Sequence, residues 1–87
     1  MDERNQTADV EQRVINIVAD IFNEAPAAIG RDTAFSGDLD AKSMDIIALV
    51  AALEAEFGFA IPAADVRQNE TVGAAIDWVK QELGRRG

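Results

Sequence analysis

The most informative part of the chain is residues 43–62, SMDIIALVAALEAEFGFAIP. Residues 43–57 are rich in Ala and Leu and contain neither Pro nor Gly, which predicts a helix that begins at Ser43. Gly58 is expected to end this helix, because glycine is common just past a helix C-terminus. Apolar residues occur nearly all round the predicted helix. It should therefore be central to the fold or offer a face to a partner.

The Ser43 hydroxyl has two possible roles at the start of this helix. It can be an N-cap that accepts a backbone N–H, a contact worth roughly 0.5–2 kcal/mol compared with Ala. It can also be an exposed point of attachment for another group. A calcium-binding loop is excluded, although residues 38–49 begin with Asp-x-Asp. Lys42, Ser43 and Leu49 stand where an EF-hand needs an oxygen ligand, a glycine and a glutamate.

A first helix is predicted upstream, in a chain whose 87 residues suit a single domain. Val and Ile recur at helical spacing over residues 10–22, which places them on one face. Thr7 or Asp9 can cap this helix, since each has a side-chain oxygen. Residues 1–6 are expected to form a frayed tail.

Residues 24–42 form a long connection between the first two predicted helices. Connections longer than about 12–15 residues are uncommon in compact domains and are often functional. This one contains three apolar side chains that are expected to hold it on the core: Ile29, Phe35 and Leu39.

Two more helices are predicted after residue 62. Pro62 suits the first position of a short helix that extends over roughly residues 63–67. A fourth helix is capped by Thr71 and ends near Gly84, and Trp78 lies beside its apolar stripe and should be half exposed. No segment predicts a strand. The fold class is therefore all-α, a small four-helix bundle of three longer helices and a short third one.

Composition excludes several kinds of protein. The chain has no His and no Cys, which excludes disulfides, catalysis by imidazole or thiolate, and the usual zinc ligands. A net charge of −8 argues against binding nucleic acid and favours partners with basic surfaces. No apolar run approaches the ~20 residues of a membrane span. The acidic N-terminus does not resemble a signal peptide, so a cytoplasmic protein is expected.

The order of these features resembles the acyl carrier protein family. That family has a helix, a long loop that ends in a serine motif, a second helix, an "xIP" turn, a short helix and a last helix. The corresponding pieces are DLDAKSMD at 38–45, ALVAALEAEFGFAIP at 48–62 and TVGAAIDWVKQEL at 71–83. The serine motif alone is a weak signal, but LEAEFGFAIP at the right distance after it makes the match specific. The resemblance covers roughly Thr7 to Leu83.

The resemblance implies that the protein is a carrier and not an enzyme. Ser43 corresponds to the serine that carries 4′-phosphopantetheine, on which acyl or related groups are held as thioesters. A separate phosphopantetheinyl transferase would attach this arm from coenzyme A, because a chain without His cannot readily activate Ser43 by itself. The partners would be enzymes with basic docking surfaces that load and process acyl groups in fatty-acid, polyketide or related biosynthesis. A monomer is expected.

The resemblance also implies two sets of site residues. The candidate contacts with partners are Asp38, Asp40, Lys42, Met44, Asp45, Ile46 and Glu54. The candidate lining of an acyl cavity is Phe35, Leu39, Ile47, Val50, Leu53, Phe57, Ile61, Val66, Val72, Ala75 and Ile76. Most of the second set must also form the core. Opening a cavity would therefore require a helix to move, the short third helix in particular.

Three features depart from the family pattern. Lys42 replaces the usual Asp before the serine, which should weaken recognition by basic partners on the order of tenfold. Lys42 could instead pair with the phosphate of the arm, or be simply solvated. Ala48 and Ala55 stand where acidic residues are common, which predicts a more apolar docking face and a specialised carrier. Asn69 replaces an apolar residue, so it should narrow or wet the cavity, or cap the turn.

Two alternatives stay open. A structural interaction module on the same scaffold would use Ser43 only as a cap, and the Lys42 substitution favours it. A peptidyl or aryl carrier of a nonribosomal pathway would have the same fold. The acidic excess and the FGFAIP turn, residues 57–62, favour the acyl type.

Overall fold

The computed structural model describes residues 3–86, and within that range the chain is helical, with an isolated β-bridge and no strand. The predicted all-α bundle with a long first loop and a short third helix is confirmed. The elements are α1 (Glu3–Phe22), a 3-10 turn (Pro26–Ala28), α2 (Ser43–Phe57), α3 (Ala63–Gln68) and α4 (Val72–Arg86).

Helix α1 begins earlier than the sequence predicted. It starts at Glu3, so Thr7 and Asp9 lie inside the helix and neither is its N-cap. Glu, Arg, Gln and Ala, which occur in this segment, are good helix formers, so the helix extends beyond its apolar stripe. The expected tail over residues 1–6 overlaps α1 from Glu3 onwards, and residues 1–2 lie outside the described residues.

The core lies where α1 packs against both α2 and α4, and α3 packs against α2. Burying each large apolar side chain stabilises the fold by roughly 1.5–3 kcal/mol compared with leaving it exposed. Among the described residues, the largest fully buried side chains are Val14, Val18, Leu49, Leu53, Val72, Ile76 and Val79. In the described part of the chain, no helix is long and apolar enough to cross a membrane.

The connection between α1 and α2 is held on this core by its apolar residues, as predicted. Ile29 and Phe35 are buried, and Leu39 is partly buried against the core. The Phe35 ring also lies 6.5 Å from the ring of Phe22, measured between centroids. The long loop that leads to Ser43 is therefore anchored at several points along its length.

Backbone hydrogen bonds join this connection to the start of α4. The Val72 N–H donates to the Thr33 carbonyl at 2.9 Å, and the Gly73 N–H donates to the Arg31 carbonyl at 2.9 Å. A Cβ at residue 73 would lie 2.8 Å from the same Arg31 oxygen, closer than real Cβ atoms approach. Glycine is therefore required at this crossing for steric reasons.

Two predicted helix ends are confirmed. Helix α2 ends before Gly58, which adopts a left-handed conformation with φ of 78° and donates its N–H to the Glu54 carbonyl. Helix α4 is capped by Thr71, whose Oγ1 accepts the Ala74 N–H at 3.2 Å.

Two other helix ends differ slightly from the prediction. Helix α4 continues past Gly84 to Arg86, where cations in the last turn interact favourably with the helix dipole. Pro62 is the N-cap of α3 and not its first residue. Trp78 is half-buried, as expected, and its ring lies 6.5 Å from that of Phe59, measured between centroids.

Candidate functional site

Ser43 is the first residue of α2, and the N-cap position belongs to Lys42. The interpretation of Ser43 as the helix cap is therefore wrong. The side chain of Ser43 is exposed, and no hydrogen bond joins its hydroxyl to any of the described residues. The hydroxyl is accessible to another protein and is not needed to close the helix.

The start of α2 is only partly closed by the protein. The Lys42 N–H donates to Asp45 Oδ2 at 2.9 Å, but the Lys42 ammonium cannot accept a bond in return. The first backbone bond of the helix runs from the Ile46 N–H to the Lys42 carbonyl at 3.1 Å. The N–H groups of Ser43 and Met44 are left without acceptors in the described part of the chain. A negative group here is favoured by about 0.3–1 kcal/mol.

Lys42 pairs with a neighbouring carboxylate. Its ammonium donates to Asp40 Oδ1 at 2.8 Å, and both side chains are largely exposed. This hydrogen bond, and the Coulombic attraction that accompanies it, raise the pKa of Lys42. Asp40 has a left-handed backbone with φ of 53°, and the nearby Asp38 carboxylate accepts the Ala34 N–H at 2.7 Å. Lys42 is therefore an exposed cation that is paired with Asp40, and not the simply solvated lysine considered above.

Glu54 is engaged within the protein, and its contact with partners stays a prediction. The side chain is half-buried, and its carboxylate accepts the Ile61 N–H at 2.8 Å. This bond fixes the turn between α2 and α3. The last turn of α2 is thus hydrogen-bonded to Ile61, the residue before Pro62.

Ile47 does not have its predicted position, and the neighbouring Ile46 is the residue that turns towards the core. Ile47 is 58% exposed, so it does not line an internal cavity. Ile46 is half-buried against the core, and its contact with partners stays a prediction. The error arises because α2 is apolar nearly all round, so its pattern does not identify the inward face. Met44 is 80% exposed at the start of the helix, where a partner can reach it.

A groove of about 540 Å³ opens beside the start of α2. The last part of the long loop, the first turn of α2 and the end of α3 form its walls. It is lined by Ala34, Phe35, Ser36, Gly37, Ala41, Ile46, Val66, Arg67, Asn69 and Glu70. Asn69 is both a lining residue of the groove and the C-cap residue of α3.

Only part of the predicted cavity lining borders this groove. Phe35 and Val66 do so. Five other predicted residues are buried in the core: Leu53, Ile61, Val72, Ala75 and Ile76. Three more are half-buried against it: Leu39, Val50 and Phe57.

Three polar residues that line the groove, Ser36, Arg67 and Glu70, were missed from the sequence. Residues in irregular segments have no periodicity that shows which way they face. Loop residue 35 meets residue 70 through a hydrogen bond from the Phe35 N–H to the Glu70 carbonyl, at 3.0 Å. Only the folded chain shows that these two distant segments line one groove.

A four-helix bundle with an accessible serine at the start of its second helix is the architecture of a carrier domain. Residues 12–79 match the family model described as phosphopantetheine attachment site. The acyl carrier proteins of two Porphyromonas gingivalis strains are each 37% identical to this chain over 76 residues, which cover 87% of the chain and 97% of the relative. The chain belongs to the acyl carrier protein family. It is a carrier and not an enzyme, and its cofactor is covalently attached 4′-phosphopantetheine.

The residues at the start of α2 fit this cofactor. The Ser43 hydroxyl forms no hydrogen bond with any described residue. The start of α2 also has unpaired backbone N–H groups, which suit a phosphodiester. The arm supplies a thiol, which a chain without Cys cannot provide itself. Partner enzymes such as a phosphopantetheinyl transferase follow from membership of the family.

Proposed function

We propose that Ser43 is the attachment site of 4′-phosphopantetheine. The protein then holds acyl or related intermediates as thioesters and presents them to enzymes of fatty-acid, polyketide or related biosynthesis. The observation that supports this is the exposed Ser43 hydroxyl, which has no partner among the described residues and does not cap α2. Because modification draws on coenzyme A, a cytoplasmic location is part of the proposal.

Attachment must be catalysed by a separate transferase. The Ser43 Oγ forms a bond to the phosphorus of coenzyme A that bears the pantetheine. The bond from this phosphorus to adenosine 3′,5′-bisphosphate breaks, and the hydroxyl proton passes to a base of the transferase. The neighbours of Ser43 are not suited to be that base, because Lys42 is paired with Asp40 and the Asp45 carboxylate accepts a backbone N–H.

The proposed docking surface for partner enzymes is the exposed stripe of α2 that begins beside Ser43. Met44, Ile47, Ala48 and Ala51 are all exposed and recur at helical spacing on one face. Asp40 and Asp45 lie at its N-terminal end, where both bond to Lys42, and Asp38 precedes them in the loop. This arrangement suits a partner with an apolar centre and a basic rim, as in ordinary protein interfaces. A face with so few charges supports a specialised carrier that has its own partners.

The specialised-carrier idea has a direct kinetic test. A ketosynthase or acyltransferase of general fatty-acid synthesis should use this protein markedly less well than its own carrier. The ratio of kcat/KM for the two carriers measures the difference. Equal values would show that the apolar face of α2 does not restrict partner choice, and the protein would then be a general carrier.

The attachment itself is tested by intact-protein mass spectrometry. The protein is incubated with coenzyme A and a broad-specificity phosphopantetheinyl transferase, beside Ser43→Ala and Ser36→Ala variants. Ser36 is a matched control, because it is the other serine of the chain and is also exposed. We expect a gain of one phosphopantetheine in the wild type and in Ser36→Ala, and none in Ser43→Ala.

The opposite result would favour the structural-module alternative. If several transferases leave a folded wild-type protein unmodified, then Ser43 is not an attachment site for them. A gain that persists in Ser43→Ala would place the arm on another residue. Either outcome would overturn the proposed role of Ser43.

A further inference from the structure

Lys42 lies directly beside the proposed attachment point and forms a hydrogen bond that another anion can displace. Its ammonium donates to Asp40 Oδ1 at 2.8 Å, and the two side chains are 68% and 82% exposed. Ion pairs between side chains as exposed as these are weak, because water screens their attraction. The pair therefore forms in the unmodified protein but is open to competition from a nearby negative group.

The competing group is the phosphodiester that attachment would place on Ser43. Lys42 and Ser43 are consecutive residues, and the flexible four-carbon stem of lysine lets its ammonium reach an oxygen on the next side chain. The encounter would be intramolecular, which gives the phosphodiester a high effective concentration at the ammonium. It would compete with Asp40 without the help of any partner protein.

The backbone at the start of α2 favours a phosphodiester on the same side as Lys42. The N–H groups of Ser43 and Met44 have no acceptors among the described residues, and they lie at the positive end of the helix dipole. A phosphodiester that accepts from them lies at the helix end where Lys42 is the N-cap residue. The N–H groups and the ammonium can therefore bind one anion together.

A third negative group at this helix start favours a change of partner for Lys42. The Asp45 carboxylate is held in place, because it accepts the Lys42 N–H at 2.9 Å. The Asp40 carboxylate has no bond within the described part of the chain except that to Lys42. Lys42 is also the only Lys or Arg between Arg31 and Arg67 in the sequence. Repulsion from the phosphodiester would therefore turn Asp40 out to water.

We infer that Lys42 exchanges Asp40 for the phosphodiester when Ser43 is modified, an inference that rests on the proposed attachment. Lys42 is then a positioning residue, which holds the first group of the arm against the start of α2. The exchange also changes the surface that partners meet. The transferase meets a neutral Lys42–Asp40 pair, whereas later enzymes meet a free Asp40 carboxylate. Partners with basic surfaces are thereby attracted to the modified carrier.

An NMR titration of the lysine ¹³Cε signals tests the exchange, before and after modification, with the mass gain checked on the same samples. In the unmodified protein, Asp40→Asn should lower the pKa of Lys42, because it removes the charged partner. In the modified protein, the same substitution should leave the pKa of Lys42 unchanged, because the phosphodiester has replaced Asp40 as its partner.

Asp38→Asn is the matched control for this titration. Asp38 is an exposed carboxylate of the same loop, and it does not pair with Lys42. Its carboxylate accepts the Ala34 N–H, and the amide oxygen of asparagine can accept the same bond. Asp38→Asn should therefore leave the pKa of Lys42 unchanged in both forms of the protein.

The phosphodiester gives a second readout through its ³¹P signal. This signal should shift in modified Lys42→Met compared with the modified wild type. Lys42→Arg should keep it close to the wild-type position, because a guanidinium also pairs with phosphate. Lys80→Met is the control, since it removes a lysine that lies near Glu11, and it should not move the signal.

Three results would overturn the inference and leave the proposed function intact. Asp40→Asn could lower the pKa of Lys42 equally in both forms, which would show that the pair survives modification. It could have no effect in the unmodified form, which would show that there is no pair to exchange. The ³¹P signal could be the same in Lys42→Met and the wild type. Absence of the mass gain would instead overturn the proposed function, and the inference with it.

Discussion

The starts of α2 and α4 are both helix N-termini, but they differ in whether their backbone N–H groups have acceptors in the protein. At α4, the N–H groups of Val72 and Gly73 donate to carbonyls of the long loop, and Thr71 caps the Ala74 N–H. At α2, the backbone N–H groups of Ser43 and Met44 have no acceptors among the described residues. One helix start is closed by the protein itself, and the other is left open.

This difference separates stability from function within a very small fold. Every helix start has backbone N–H groups that need partners, and a protein can satisfy them with its own atoms or leave them to water and ligands. At α4 they hold the loop against the core. At α2 they surround the serine to which we assign the cofactor. Substitutions at the start of α4 should therefore change the free energy of unfolding. Substitutions at the start of α2 should instead change the rate at which Ser43 is modified.

The largest expected effect on stability is at Gly73. In Gly73→Ala, the new methyl group would lie 2.8 Å from the Arg31 carbonyl oxygen and force the loop away from α4. Crowding of this kind typically costs 1–3 kcal/mol, so we expect a loss of about 2 kcal/mol and a fall in melting temperature of roughly 10 °C. Thermal unfolding followed by circular dichroism measures both.

Gly84→Ala is the matched control for this change. Gly84 also lies in α4, and no atom would lie within 4 Å of its added Cβ. Alanine is the better helix former by up to about 1 kcal/mol, so this variant should be as stable as the wild type or slightly more so. A Gly73→Ala protein that unfolds at the same temperature as Gly84→Ala would show that the loop does not clamp the start of α4.

The fold was largely predictable from the sequence because its signals are local. Apolar spacing, Gly58 and Thr71 gave the approximate helices and two of their ends correctly. The start of α1 was wrong, since caps at Thr7 and Asp9 were preferred to the helix formers that precede them. The helix propensity of these residues extends α1 towards the N-terminus as far as Glu3, beyond its apolar stripe.

The site was less predictable because it depends on direction and on distant contacts. Residues 46 and 47 are both Ile in an almost uniformly apolar helix, and only the packing of α2 on α1 and α3 distinguishes them. The groove brings loop residue 36 together with residues 67, 69 and 70, which no periodic pattern relates. The role of Ser43 as the attachment site stays a prediction.

A smaller effect on stability is expected at Thr71, and it compares the two helix starts directly. Thr71→Ala removes a cap and should cost about 1 kcal/mol. Ser43→Ala removes a hydroxyl with no described partner and should change the free energy of unfolding by less than about 0.5 kcal/mol. Urea unfolding of the two variants measures the contrast. Equal losses would mean that Ser43 also supports the fold.

Lys42 allows the open helix start to be altered without touching Ser43. Lys42→Asp restores the acidic residue that is usual in the family, and it also introduces a better N-cap. We expect a broad-specificity transferase to modify this variant faster, by up to about tenfold, because the charge facing its basic surface changes sign. Initial rates of mass gain provide the measurement.

Lys42→Ser separates the two consequences of that change. Serine supplies the cap without the negative charge, so it should raise the melting temperature as Asp does but leave the modification rate close to that of the wild type. If Ser accelerates modification as much as Asp, the geometry of the helix start limits the transferase. The charge of Lys42 would then be irrelevant to recognition.

The smallest expected effect is a change in the pKa of Lys42. Its hydrogen bond to Asp40 raises this pKa above the ordinary 10.5, so Asp40→Asn should lower it again. A raised lysine pKa stabilises the folded state below the ordinary value, and that contribution disappears as the pH rises through the folded-state pKa. Stability near neutral pH should therefore not depend on the titration of this pair.

An NMR titration of the lysine ¹³Cε signals measures this pKa. Lys80, the other lysine of the chain, is the internal control, because Asp40 does not pair with it. An unchanged Lys42 titration in Asp40→Asn would mean that the pair does not persist in solution. The ammonium would then be available to a phosphodiester on the adjacent Ser43, and the start of α2 would be more open than its contacts indicate.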